Sequence, residues 1–211
     1  MKHLIIIGAG GAGRETYYTA TRTAGFGTDF DVKGFLDDND NALDQKPDYP
    51  PILSSLDGYI IADDDVFVCA IANPMQRWHA VRTIEGRGGT FITLIDHTAS
   101  IGFNVNIGKG CVIREFVVIS PDVTIGSHVY IQPYTDIGHD AVVGDCCLLN
   151  TRAFMGGHSR MERLSIIHTH GALMPMKTVG EGGTVGAGSV AIRNVKSGVT
   201  VVGVPARELK L

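Results

Sequence analysis

The sequence predicts a small α/β domain over residues 1–94, followed by a repetitive domain of short β-strands over residues 95–211. Two patterns indicate this division. The chain opens with a strand, a glycine-rich turn and a helix, and from Ile95 onward an aliphatic residue recurs at every sixth position. The composition agrees, because 27 of the 211 residues are glycine, where average usage would give roughly 15.

The overall composition excludes several classes of protein. Hydrophobic residues make up 44% of the chain and the net charge is −4, which indicates a folded protein rather than a disordered one. No basic run indicates a nucleic-acid surface, and no apolar stretch reaches the roughly 20 residues of a membrane-spanning helix. The four cysteines form no CxxC pair, as is typical of a reducing compartment. We therefore expect a cytoplasmic protein with neither nucleic-acid binding nor membrane insertion.

The first part of the α/β domain carries a phosphate-binding pattern. Residues 3–8 are predicted as a buried strand, Gly8 to Gly13 match GxGxxG, and residues 14–24 are predicted as a helix. In this context the backbone N–H groups at the start of the helix face an anion such as a diphosphate. A second predicted strand, residues 32–36, ends in Asp37 and Asp38, where a carboxylate commonly holds a ribose.

The remainder of this domain is too short for a complete dinucleotide fold. It contains a predicted strand over 66–71, a turn at Asn73–Pro74, a helix over 75–85 and a strand over 90–94. Without a second half, the usual nicotinamide site is absent, which favours a mononucleotide or a nucleotide-sugar as ligand. A dinucleotide such as NAD and a purely structural glycine turn remain the alternatives.

The second domain repeats with a period of six over seventeen hexads without an insertion. The recurring residues are Ile95, Ile101, Ile107, Ile113, Ile119, Ile125, Ile131, Ile137, Val143, Leu149, Met155, Met161, Ile167, Leu173, Val179, Val185 and Ala191. A small or β-branched residue follows four positions later in every hexad except at Lys177, and glycine directly follows the aliphatic residue in eight. This period fits short strands joined by tight corners, with two inward positions per hexad and glycines expected to relieve the backbone at the bends.

The hexads resemble those of the hexapeptide-repeat acyltransferases. That resemblance implies a left-handed parallel β-helix with 18 residues to each triangular coil, hence between five and six coils here. The segment Val202–Arg207 is similar to the closing GVPAK/R segment of the family.

The whole chain resembles one group of these enzymes, the sialic-acid O-acetyltransferase-like and nucleotide-aminosugar N-acetyltransferases. The resemblance rests on the motif Gly8-Ala9-Gly10-Gly11-Ala12-Gly13-Arg14-Glu15, on Leu36-Asp37-Asp38 and on the hexads. It implies a homotrimer in which the small N-terminal Rossmann-like domain holds a UDP- or GDP-sugar and the β-helix holds acetyl-CoA at a seam between subunits. The substrate contacts that it implies are Gly10, Gly11, Ala12, Asp37, Asp38, Ala72 and Asn73, with Ala12 standing where relatives often have His.

The candidate catalytic residues lie about halfway along the repetitive domain. The segment Ile137–Asp140 resembles the I-x-H-E segment of the family, which implies His139 as general base and Asp140 as the carboxylate that tunes it. An 18-residue coil would stack Gly157 over His139 and His158 over Asp140. We expect the Gly157 N–H to stabilise the oxyanion, while His158 remains open either as a stacked ion-pair partner of Asp140 or as a supporting or alternative base.

The resemblance places acetyl-CoA contacts at Leu148, Gly157, Thr169 and Ala187, and no metal is expected. The predicted function is acetyl-CoA-dependent acetylation of the amino group of a nucleotide-linked aminosugar. Alternatives are O-acetylation of a sialic-acid-like sugar and a non-catalytic sugar-nucleotide-binding trimer. A zinc site like that of γ-class carbonic anhydrases could draw on His128, His139, His158, His168 and His170, but it leaves the N-terminal domain without a role.

Overall fold

The computed structural model describes residues 1–210. Its N-terminal part is a five-stranded parallel sheet in the order β3-β2-β1-β4-β5, with two helices. The elements are β1 (Lys2–Ile7), α1 (Gly11–Thr21), β2 (Phe30–Leu36), β3 (Ile52–Ser54), β4 (Asp65–Cys69), α2 (Pro74–Gly86) and β5 (Thr90–Phe91). The strand–turn–helix at the start of the chain is confirmed, and β3 is an additional strand that the sequence did not indicate.

The second part is a left-handed parallel β-helix, as predicted. Two-residue strands alternate with corners: β6 (Leu94–Ile95), β7 (Ser100–Ile101), β8 (Asn106–Ile107), β9 (Val112–Ile113), β10 (Val118–Ile119), β11 (Thr124–Ile125), β12 (Tyr130–Ile131), β13 (Asp136–Ile137), β14 (Val142–Val143), β15 (Leu148–Leu149), β16 (Phe154–Met155), β17 (Arg160–Met161), β18 (Ile166–Ile167), β19 (Ala172–Leu173), β20 (Thr178–Val179), β21 (Thr184–Val185) and β22 (Val190–Ala191). A hairpin of β23 (Thr200–Gly203) and β24 (Ala206–Glu208) follows.

The strands stack into three sheets that form the sides of a triangular prism. Sheet I contains β7, β10, β13, β16, β19 and β22; sheet II contains β8, β11, β14, β17 and β20; sheet III contains β6, β9, β12, β15, β18, β21, β23 and β24. Ile119 pairs with Ile137, and Ile137 pairs with Met155. Each coil therefore takes 18 residues, and side chains 18 apart stack directly on one another.

The predicted strand over 90–94 is divided between the two parts of the molecule. Thr90–Phe91 pairs with β4 in the α/β sheet, whereas Leu94–Ile95 pairs with Val112–Ile113 in sheet III. The β-helix therefore begins at Leu94, while the domain boundary after residue 94 stays a prediction.

The inward aliphatic residues form the core of the β-helix. From Ile113 to Val185, every member of the series is at most 2% exposed. The small residues four positions later fill the space between them: Val117, Val123 and Val129 are fully buried. Both periodic positions therefore point inward, because only small or aliphatic side chains fit the narrow prism.

The prediction that the glycines after the aliphatic residues relieve the backbone is wrong. The backbone turns at the fourth position of the hexad, where twelve residues other than glycine have φ between 54° and 63°. They are Asn104, Phe116, Asp122, His128, Tyr134, Asp140, Cys146, Arg152, His158, Leu164, His170 and Met176. The glycines instead permit close stacking of coils: a Cβ at Gly138 would lie 2.6 Å from the Gly157 nitrogen, and one at Gly144 would lie 2.7 Å from the Arg163 nitrogen.

A buried arginine joins the two parts of the molecule. Arg77, on α2, is 1% exposed, and its guanidinium donates five hydrogen bonds of 2.7–3.0 Å to backbone carbonyls. The acceptors are Ile71 and Ala72 after β4, and His128, Cys146 and Cys147 on two consecutive coils. Burial lowers the pKa of Arg77, but an arginine remains charged, so the carbonyl dipoles provide its compensation.

Further contacts lie at this interface between the α/β part and the β-helix, which is called the seam below. Arg22, the residue directly after α1, donates to the buried Asp96 at 2.5 Å, and the Thr16 and Tyr130 hydroxyls lie 2.9 Å apart. Burial alone would raise the pKa of Asp96, but hydrogen bonds from Arg22 and Thr98 outweigh it and lower the pKa to about 2. Within residues 1–210, neither helix is long and apolar enough to cross a membrane.

Substituting Arg77 by methionine is expected to destabilise the protein strongly. The variant leaves the carbonyl oxygens of the buried residues His128 and Cys146 without a donor, and each buried carbonyl without a donor costs about 1–3 kcal/mol. We expect the free energy of unfolding that tryptophan fluorescence reports in urea to fall by at least ~3 kcal/mol. Arg160→Met, at an exposed arginine on sheet II, is the matched control; equal unfolding midpoints for the two variants would contradict the assigned role.

Candidate functional site

His139 and Asp140 form a hydrogen-bonded pair at the corner between sheets I and II. His139 Nδ1 lies 2.8 Å from Asp140 Oδ2, and their side chains are 60% and 44% exposed. Asp140 occupies the left-handed corner position, with φ of 57°. The hydrogen bond to His139 lowers the pKa of Asp140, so the carboxylate is ionised near neutral pH and can orient the imidazole.

His158 lies one coil further along at the same corner. Its Nε2 is 3.7 Å from Asp140 Oδ2, and its ring centroid is 5.1 Å from that of His139 in an edge-to-face arrangement. One carboxylate oxygen therefore faces both imidazoles, but only the distance to His139 is that of a hydrogen bond. The geometry favours His139 as the partner of Asp140.

Gly157 lies against the other nitrogen of His139. A Cβ at this position would be 2.6 Å from His139 Nε2, so no larger residue fits without moving the imidazole. Within residues 1–210, no oxygen accepts a hydrogen bond from the Gly157 N–H. The corner thus presents a basic nitrogen and a free backbone donor side by side.

The glycines of the turn before α1 have two different environments. Gly13 packs closely against the backbone, whereas Gly10 and Gly11 are exposed to solvent. A Cβ at Gly13 would collide with the Gly8 carbonyl, so only glycine at this position allows the first turn of α1 to pack against the backbone directly after β1. Gly10 is the residue before α1, and both Gly10 and Gly11 are exposed. Their position at a helix N-terminus suits an anionic ligand.

The two carboxylates after β2 differ in their surroundings. Asp37 Oδ2 accepts a hydrogen bond of 2.7 Å from the Ala9 N–H, and its Oδ1 accepts one from the Asn39 N–H. Asp38 is exposed. Both line a cleft at the carboxyl edge of the sheet, together with Ile7, Gly8, Leu36, Leu56, Ile71 and Gln76. Asp37 therefore fixes the backbone of the glycine turn, whereas the exposed carboxylate of Asp38 is more accessible to a ligand.

The other predicted substrate contacts, Ala12, Ala72 and Asn73, already accept hydrogen bonds from groups of the protein itself. The Ala12 carbonyl accepts hydrogen bonds from the hydroxyls of Thr16 and Tyr130. The Ala72 carbonyl accepts from Arg77, and Asn73 Oδ1 accepts from the first backbone N–H groups of α2. Ala72 and Asn73 are exposed and follow Ile71, which lines the cleft, whereas Asn73 itself lines a separate cavity with Leu164 and Ile166 of the β-helix.

The predicted cofactor residues do not lie together in one chain. Thr169 and Ala187 are exposed and stack at the corner between sheets III and I, whereas Gly157 lies at the corner between sheets I and II. Leu148 is only 5% exposed and packs between the β-helix and the α/β sheet. Its side chain is thus largely covered by the α/β part, and the assignment of Leu148 as an acetyl-CoA contact stays a prediction.

Within residues 1–210, the remaining histidines do not converge into a three-histidine site. His128 is buried against Phe91, with ring centroids 4.8 Å apart, and His168 Nδ1 lies 3.1 Å from the Asn150 amide. Among the described residues, the one group that could hold a metal ion is His139, Asp140 and His158. Within one chain, residues 1–210 therefore do not assemble the three histidine ligands of a γ-carbonic-anhydrase-like site.

Sequence reasoning missed Arg77, Tyr130 and Arg114, which hold the α/β part against sheet III. Arg114 is 6% exposed and bonds Glu15 at 2.5 Å and Gln132 at 2.9 Å. Tyr130 and Arg114 lie one residue before and one residue after a core aliphatic, where outward side chains are normally exposed. A large or charged residue at such a position next to a second domain is the signal that could have identified them.

Comparisons with known proteins agree with this architecture. Residues 3–84 match the family model described as PglD N-terminal domain. GDP-perosamine N-acetyltransferase of Escherichia coli O157:H7 is 30% identical over 150 residues, covering 68% of this chain and 67% of that protein. The acyl-carrier-protein-dependent UDP-N-acetylglucosamine O-acyltransferase of Pseudomonas paraeruginosa is 34% identical over 107 residues, 47% of this chain and 42% of its own length. The chain thus aligns with less than half the length of these O-acyltransferases.

Two solved structures share the whole fold. PerB from Caulobacter crescentus, in complex with CoA and GDP-perosamine, has a TM-score of 0.87 at 22% identity, covering 100% of this chain and 98% of that one. The acetyltransferase domain of PglB from Neisseria gonorrhoeae, in complex with acetyl coenzyme A, has a TM-score of 0.88 at 24% identity, covering 99% of both chains. With its PglD N-terminal domain and hexad β-helix, the chain belongs to the nucleotide-aminosugar N-acetyltransferase group of the hexapeptide-repeat acyltransferases.

Proposed function

We propose that the protein is an acetyl-CoA-dependent acetyltransferase that acetylates the amino group of a nucleotide-linked aminosugar. The observation that carries this proposal is the corner at which His139, oriented by Asp140, presents Nε2 beside the free N–H of Gly157. Acetyl transfer needs these two elements, a base for the acceptor and a donor for the developing oxyanion. The named ligands of PerB and of the PglB domain support the same chemistry.

The proposed reaction is a direct attack. His139 Nδ1–H donates to Asp140, which leaves the lone pair on Nε2 to accept a proton from the amine. The amine nitrogen bonds to the thioester carbonyl carbon, and the Gly157 N–H donates to the oxyanion that forms. When the carbon–sulfur bond breaks, the imidazolium returns the proton to the CoA thiolate. Products are the N-acetylated sugar and free CoA.

The nucleotide would lie along the edge of the α/β sheet. The N–H groups around Gly10 and Gly11 at the start of α1 suit the diphosphate, and the exposed Asp38 suits a ribose hydroxyl. Asp37 supports this arrangement indirectly, since it holds Ala9 in the turn. Ala12, Ala72 and Asn73 border the same edge and complete the proposed substrate set.

Acetyl-CoA would bind between subunits of a homotrimer. Thr169 and Ala187 lie at a different corner from Gly157, so one chain does not assemble the predicted cofactor set. A neighbouring copy that brings its own corner against His139 would complete the site. Leu148 contributes to this groove only by shaping the β-helix under the α/β domain.

We further propose a cytoplasmic location. All four cysteines are free and buried. Free thiols are typical of a reducing compartment, and acetyl-CoA as donor fits the same location.

An acceptor panel tests the proposed function. Incubation with acetyl-CoA and UDP-, dTDP- and GDP-linked aminosugars, followed by release of the CoA thiol, is expected to show turnover with at least one amine. Matched sugars with a hydroxyl in place of the amine are the control. Thiol release with the hydroxyl sugars alone would establish O-acetylation instead, and release with neither would support a non-catalytic binding protein.

Replacing His139 by alanine is expected to lower kcat by about 10²- to 10⁴-fold, because a positioned general base contributes this much. The KM for acetyl-CoA should change little, since the base acts on the acceptor. His158→Ala is the control and is expected to keep kcat within about tenfold of the wild-type value, because its imidazole lies farther from Asp140 than a hydrogen bond. Steady-state kinetics of both variants decide the assignment; a larger kcat loss in His158→Ala would overturn it.

A further inference from the structure

We propose that His139, Asp140 and His158 form a binding site for a divalent transition-metal ion such as Zn²⁺, and that the bound ion inhibits the enzyme. The binding follows from the arrangement of the three side chains. The inhibition rests in addition on the proposed role of His139 as general base.

The donor atoms are close enough to share one ion. One atom from each side chain can be chosen so that all three lie within 4.8 Å of one another. Asp140 Oδ2 is 2.8 Å from His139 Nδ1 and 3.7 Å from His158 Nε2. Two imidazoles and a carboxylate are a ligand set that zinc takes in proteins, with the fourth position left to water.

The coil repeat holds these residues in register. The His158 N–H donates to the His139 carbonyl at 2.9 Å, and the Asp140 N–H donates to the Pro121 carbonyl at 3.2 Å. The backbones of the three ligands are therefore fixed by ladder hydrogen bonds. The side chains are 44–60% exposed, so they can make the small rotations that tetrahedral ligation needs and an ion can enter from solvent.

Metal binding would remove the base by changing the tautomer of His139. In the active form the proton sits on Nδ1 and is donated to Asp140, and Nε2 is free. A metal on Nδ1 takes the lone pair there, so the single proton of the neutral ring moves to Nε2. Nε2 then donates a hydrogen bond instead of accepting a proton, and Asp140 is engaged by the ion.

Direct binding measurements test the site without any substrate. We expect Zn²⁺ to bind once per chain by calorimetry to tag-free protein treated with a chelator, and Co²⁺ to give the visible absorption of a tetrahedral site. His158→Ala is expected to weaken Zn²⁺ binding at least about tenfold, since loss of even an outer-shell partner costs 10–100-fold. His170→Ala, at an exposed histidine on another corner, is the matched control and should bind as the wild type does.

Activity measurements then test the inhibition. Zn²⁺ should inhibit wild-type protein and His170→Ala at concentrations near the calorimetric dissociation constant, whereas the activity that His158→Ala shows without Zn²⁺ should persist at those concentrations. Absence of Zn²⁺ binding, or equal binding by wild type and His158→Ala, would overturn the site. Binding at the site without inhibition would overturn the inhibitory role, whereas a protein that binds Zn²⁺ but acetylates no acceptor would instead contradict the proposed function.

Discussion

Arg77 brings a full positive charge into the seam between the α/β sheet and the β-helix, and among the described residues no carboxylate pairs with it. Its five donors reach carbonyls after β4 and on two successive coils. The charge is tolerated in this buried place because every donor is used. The same bonds hold the end of β4, which borders the proposed nucleotide cleft, against the β-helix, so the position of one site relative to the other depends on this side chain.

The 18-residue coil is the second constraint, because residues 18 apart in the sequence lie next to each other in neighbouring coils. His139 and Gly157 are 18 residues apart and touch, as do Asp140 and His158. The left-handed corner position carries Asp140 and His158, so the backbone conformation that turns the chain also directs these side chains outward. Core packing and the chemistry of the corner therefore follow from the same repeat.

Periodic features could be predicted from the sequence, and features that depend on contact between the two parts could not. The hexad phase predicts the inward residues, and the coil length implied by the resemblance to hexapeptide-repeat acyltransferases adds the juxtaposition of His139 with Gly157. The hexad phase could not show that Leu148 lies under the α/β domain, because the repeat identifies an outward position but not whether that position faces solvent or another domain. Arg77 resembles any surface arginine of a helix, and β3, only three residues long, lacks a periodic signal. A glycine directly after an aliphatic residue suggests the corner conformation, but these glycines permit close coil stacking, and the left-handed corner lies two positions later.

Equilibrium unfolding followed by two probes tests the role of Arg77 most directly. Trp78, the single tryptophan, lies on α2 with the guanidinium of Arg163 from the β-helix 5.3 Å from its ring centroid, so its fluorescence reports on the seam. Far-UV circular dichroism instead averages over the backbone of both parts of the molecule. The wild type and Arg160→Met are expected to show coincident urea transitions by both probes. In Arg77→Met the fluorescence transition should move to lower urea and separate from the dichroism transition. Transitions that stay coincident at the wild-type midpoint in Arg77→Met would contradict the account.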